Sequence, residues 1–74
     1  MSAYDYEIDV RPLPESLGGG YLATAPDLPG CMADGETPEE ALAAGYDAAA
    51  AWLETAAELG RDIPAPKMDE RLYA

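Results

Sequence analysis

The sequence has no histidine and no phenylalanine, a single cysteine, and only four Lys and Arg side chains among its 74 residues. Each shortage closes off a class of function. Without His there is no imidazole to act as a base or bind a metal, and a lone thiol makes neither an intrachain disulfide nor a thiolate-rich zinc site. No cofactor and no metal centre are therefore expected. Against the four cations stand fifteen Asp and Glu, for a net charge of −11 spread along the whole chain. Affinity for phosphates comes from Lys and Arg displacing counterions, so direct binding of nucleic acid is not expected, and a basic protein is the natural complement. No apolar run reaches transmembrane length, and Met-Ser-Ala-Tyr-Asp opens the chain without a basic segment leading into an apolar one. The expectation is a cytoplasmic protein without a membrane partner, in which one unpaired thiol suits a reducing compartment.

Large apolar side chains are also scarce, because 15 of the apolar residues are Ala and only 21 are larger. One domain spanning residues 1–74 with a thin core is expected, and association with another copy, as a dimer or tetramer, is the remaining source of stability.

Tyr4, Tyr6, Ile8 and Val10 alternate with Asp5, Glu7, Asp9 and Arg11, the period of a half-buried strand. Pairing should fade at Pro12 and Pro14, which lack amide protons. Glu15 to Gly20, ending in three glycines, supplies a hairpin loop. A second strand follows over Tyr21 to Ala25, with Tyr21, Ala23 and Ala25 on one face. Pro26 to Gly30 is a compact turn, and Cys31 to Asp34 a third strand before Gly35.

Thr37-Pro38-Glu39-Glu40 has the form of a capping box, with Pro at the first helical position, Thr37 accepting from the Glu40 amide and Glu40 reaching back to the Thr37 amide. The helix should run to about Leu59, with Gly60 in the left-handed cap position. Leu42, Tyr46, Ala49, Trp52, Leu53, Ala56 and Leu59 form the expected inner stripe, and Glu40, Ala43, Asp47, Ala51, Glu54 and Glu58 the outer one. Ile63 to Pro66 is extended, and residues 61–74 form an extended tail or closing strand, with Met68 to Tyr73 as strand or helix. The fold class expected is α+β: a three- to four-stranded antiparallel sheet with one long helix packed on one face, in the order β-β-β-α.

Chemistry has few footholds. Asp5, Asp9 and Asp34 could be imagined as a carboxylate set for divalent cations, but acids on an outward strand face do not converge on a pocket. Cys31 has no base beside it and suits a small buried apolar role. Gly18 to Gly20 lacks the Walker lysine and the dinucleotide spacing, so it reads as turn chemistry. Tyr4, Tyr6 and Tyr21 could stack on bases, but alternation sends Tyr4 and Tyr6 to the core side. No catalytic residue is expected. Partner contacts are expected from the acidic strand face of Asp5, Glu7 and Asp9 and from the turn residues Asp27, Leu28 and Pro29.

Several short motifs stand in fixed order: Gly19-Gly20-Tyr21, Pro26-Asp27-Leu28-Pro29-Gly30-Cys31, Asp34-Gly35, Thr37-Pro38-Glu39-Glu40-Ala41, Trp52-Leu53 and Ile63-Pro64-Ala65-Pro66. Together they resemble the N-terminal domain of HicB antitoxins over roughly Tyr4 to Pro66. Each motif alone is common, and their order and intervals carry the resemblance. It implies a degraded ribonuclease H-like fold and a partner of the HicA type, a small basic toxin that cleaves messenger RNA and whose RNA-binding and catalytic surface the antitoxin covers. Many relatives add a C-terminal DNA-binding domain. This sequence departs from them by ending at Ala74, so operator binding by this chain alone is not expected. The alternative is an orphan HicB-like oligomeric module acting as a transcriptional co-regulator without touching DNA.

Overall fold

The structure is a computed structural model that describes residues 2–66. Three strands, β1 (Asp9–Pro12), β2 (Tyr21–Thr24) and β3 (Met32–Gly35), form an antiparallel meander in the order β1-β2-β3. One long helix, α1 (Pro38–Glu58), packs against all three. The expected α+β arrangement is present, with three strands among the described residues. Residues 61–66 form no strand, and the closing element anticipated over Met68 to Tyr73 lies outside the described residues.

The register fixes the faces. Val10, Ala23 and Ala33 lie in one row, and Pro12, Tyr21 and Gly35 in another. These rows face α1, since a Cβ added to Gly45 would lie 2.9 Å from the Ala23 Cβ and 2.9 Å from Ile8 Cγ2. By alternation, Asp9, Thr24 and Met32 and then Arg11, Leu22 and Asp34 occupy the opposite face.

The first strand is displaced from its expected position. Residues Ala3–Asp5 form a 3-10 turn, in which the Asp5 carboxylate accepts from the Ser2 amide at 2.9 Å and the Asp5 amide donates to the Ser2 carbonyl at 3.1 Å. This local bonding competes with extension, as short acidic side chains commonly do. Tyr6 still turns inward at 2% exposure, but Tyr4 is 78% exposed, its ring 4.8 Å from that of Tyr46. Pairing does not fade at Pro12, which pairs with Tyr21, and Leu13 donates to the Gly20 carbonyl at 2.8 Å. Because β1 lies at the sheet edge, a strand residue without an amide proton is tolerated there.

The β1–β2 connection is a 3-10 turn, Glu15–Leu17, followed by Gly18, Gly19 and Gly20, all at positive φ. Gly35 is required for a different reason. A Cβ there would lie 2.8 Å from the Glu40 carbonyl carbon, because the end of β3 passes directly beneath the first turn of α1.

Helix α1 begins as its sequence demands, with the Thr37 side chain accepting from the Glu40 amide at 3.1 Å and Pro38 in the first position. The reciprocal half of the box differs: the Glu40 carboxylate accepts from the Glu36 amide at 3.2 Å rather than from that of Thr37. At the far end, Gly60 (φ +67°) donates to Ala57 at 3.2 Å and Arg61 to Ala56 at 2.8 Å, the paired bonds of a Schellman cap.

The buried face of α1 is also rotated from the expected stripe. Ala41, Gly45, Ala49 and Ala56 are buried, while Leu42 (37%) and Leu59 (61%) are exposed. The helix lies so close to the sheet that only small residues fit between them, and Tyr46, Trp52 and Leu53 pack from the flanks. The core is correspondingly thin: among the described residues Tyr6 and Leu28 are its only large buried side chains, beside alanines and Cys31.

Candidate functional site

The acids expected to share one strand face do not share one. Asp5 belongs to the 3-10 turn, Glu7 is exposed between that turn and the sheet, and Asp9 opens β1 on the face turned away from the helix. Asp34 shares that face from the opposite edge strand. Among the described residues, no group of three or more Cys, Asp or Glu side chains could hold a metal ion. The three tyrosines considered as a stacking platform are also dispersed. Tyr6 is buried, Tyr21 half-buried in a helix-facing row, and Tyr4 outside against Tyr46.

The segment from Pro26 to Gly30 is a closed loop. Ala25 donates to the Cys31 carbonyl at 3.1 Å, Leu28 to Ala25 at 3.0 Å and Cys31 to Leu28 at 3.0 Å, with Gly30 at φ +77°. Leu28 was expected at the contacting surface of this loop. It is instead 1% exposed and anchors the loop to the core, because a loop folded this tightly must turn its one large apolar side chain inward. Asp27 is half-buried, whereas Pro26 and Pro29 are exposed. The Pro29 carbonyl accepts a 3.0 Å hydrogen bond from Trp52 Nε1, which joins the loop to the middle of α1. Similarly, the Tyr6 hydroxyl donates to the Pro64 carbonyl and fastens the segment after the helix to the chain's start.

Beside this loop lies a groove of about 380 Å³. Gly30, Cys31 and Met32 form its strand side, and Ala48, Ala51, Trp52, Thr55 and Ala56 its helix side, with Arg61 just past the helix end. Ala51 belongs to the outer stripe expected from helical periodicity, yet it lines this groove. A usable signal was present: Ala48 and Thr55 flank Trp52 at four- and three-residue steps, and Ala51 neighbours both of them at the same steps, which leaves room beside a large ring. Cys31 is 7% exposed, and burial pushes its thiol pKa up, away from thiolate character. That environment suits the apolar role expected of it.

This geometry defines a class: a small α+β protein whose surface features are a short edge strand, an apolar groove and many acidic side chains. A family model described as the HicB-like antitoxin of bacterial toxin–antitoxin systems matches residues 6–74. The chain belongs to that HicB-like antitoxin family. It is also 40% identical over 60 residues to UPF0150 protein ssl0259 of Synechocystis sp., an alignment covering 81% of this chain and 78% of that protein. Among the described residues, no helix is long and apolar enough to cross a membrane.

Proposed function

We propose that this protein is a cytoplasmic antitoxin that neutralises a small, basic, HicA-type mRNA-cleaving toxin by occupying its surface, without catalysis of its own. Membership of the HicB-like antitoxin family carries this reading. The net charge of −11 supports the sign of the partner, since an acidic exterior attracts a cationic protein and repels RNA. Asp5, Glu7, Asp9, Asp27 and Pro29 contribute to the surface offered, and self-association through an edge strand or the helix adds the burial that the thin core lacks.

The test is growth. Co-expression with a small basic HicA-type toxin, sought first in the adjacent reading frames, should restore growth that the toxin alone arrests. Continued arrest in the presence of folded, abundant antitoxin would overturn the proposal.

A further inference from the structure

We infer that the groove between β3 and α1 is the docking surface for an extended cationic segment of a partner protein, which adds to the β3 edge and sets an apolar side chain into the groove. This rests on the antitoxin reading and locates the contact within it.

Three observations converge here. Among the described residues β3 pairs only with β2, so its outer edge presents backbone donors and acceptors to an incoming strand. The groove beside that edge is walled by Cys31, Ala48, Ala51 and Trp52, side chains that favour an apolar insertion. The third observation is charge. Asp47, Glu54 and Glu58 are exposed on α1 at three- or four-residue steps from the groove-lining Ala51 and Thr55, so an acidic row borders the groove on its solvent side. Among the described residues, Arg61 is the one cation that lines it.

That balance selects the occupant. A second copy of this chain would bring its own acids towards the same row, and like charges brought together oppose association through this groove, which leaves self-association to other surfaces. A strand bearing Lys or Arg beside an apolar residue complements both the row and the groove. It would also meet Gly30, so the Pro26 to Gly30 loop, held to Trp52 through Pro29, forms one wall of the contact.

The experiment uses the full chain and, as probe, an inactive form of the basic HicA-type toxin that the growth test identifies, with affinity measured by calorimetry. Ala51→Arg places bulk and positive charge over the groove at an exposed helix position, so the fold is retained, as circular dichroism and melting would verify. The variant should bind at least about tenfold more weakly. The pair Glu54→Lys with Glu58→Lys should weaken binding well beyond the pair Glu15→Lys with Glu39→Lys, exposed positions that do not line the groove and that change net charge equally. Hydrogen exchange should slow at Met32 to Gly35 in the complex.

Equal losses from the two charge pairs, or protection at β1 instead of β3, would overturn the groove assignment while leaving the antitoxin reading intact. Failure of the wild-type chain to bind the toxin would overturn both. A wild-type oligomer that Ala51→Arg dissociates in light scattering would assign the groove to a second copy and overturn the inference.

Discussion

Gly45 of α1 lies directly against Ala23 of the central strand, so close that a Cβ on the glycine would stand 2.9 Å from the alanine's own. The glycine therefore sets the distance between helix and sheet. Gly45→Ala gains about 1 kcal/mol of helix propensity. It meets Ala23, whose Cβ is fixed to a buried strand, and Ile8, whose branched side chain has few rotamers. Overpacking of this kind costs roughly 1–3 kcal/mol, so a net destabilisation of about 1 kcal/mol is expected. Urea unfolding followed by Trp52 fluorescence measures it, and adding Ala23→Gly should recover part of the loss. A Gly45→Ala variant more stable than wild type would refute the close approach.

The same contact explains what the sequence could and could not reveal. The helix was legible from local chemistry alone, since Thr37, Pro38 and Gly60 act within a turn of where they stand. Its buried face was legible only in part: Ala49 and Ala56 of the expected stripe are buried, but ranking by hydrophobicity also sends Leu42 and Leu59 inward, where the sheet's proximity admits the small Ala41 and Gly45 instead. Strand parity was legible at Tyr6, Ile8 and Val10, and failed at Tyr4, where a bond between Asp5 and Ser2 outweighs alternation. At the candidate site, Leu28 looked like surface because it stands between prolines in a turn. Its burial depends on contacts made far away in sequence, as does the groove, whose two walls are about twenty residues apart.

Trp52 is half-buried, so its truncation should cost less than a fully buried ring would. Trp52→Ala is expected to lose about 2–3 kcal/mol, below the roughly 3–5 kcal/mol of full burial. Trp52→Phe keeps most of the ring and loses the Nε1 hydrogen bond to Pro29, for about 1 kcal/mol. Chemical denaturation followed by circular dichroism separates the two. Equal losses would mean that the bond to the loop, not the ring's packing, dominates.

The hydroxyl of Tyr6 should matter only while the segment after the helix is present. Tyr6→Phe removes its bond to the Pro64 carbonyl and is expected to lower stability by about 1 kcal/mol. In a chain shortened to end at Asp62 the same substitution should have almost no effect. A full penalty in the shortened chain would show that the hydroxyl acts elsewhere.

Cys31 gives a pH dependence of definite sign. Burial raises its folded-state pKa, so the folded chain holds the thiol proton more tightly than the unfolded chain does. The stability this contributes is complete below the ordinary thiol range and is lost as pH rises through the raised folded value. Stability should therefore decline on the alkaline side more steeply in wild type than in Cys31→Ala. Thiol reagents should react slowly in buffer and quickly in urea. Rapid native-state labelling would contradict the burial.

Association with a cationic toxin should be fast at low salt and slow at high salt, and the split between rate constants is the informative part. Thirteen of the fifteen acids lie within residues 2–66, distributed over the 3-10 turns, the sheet and the helix, so the attraction is a summed field and not one ion pair. Such a field acts over the distance that salt leaves unscreened, about 10 Å at 0.1 M and about 3 Å at 1 M. Raising salt across that range should lower the association rate constant on the order of tenfold or more, because steering is lost before contact. Dissociation should change much less if an apolar insertion holds the complex once formed. Stopped-flow measurements of both constants decide between the two contributions: an association rate indifferent to salt would remove the electrostatic account, and a dissociation rate that rises as steeply as association falls would leave the groove without a holding role.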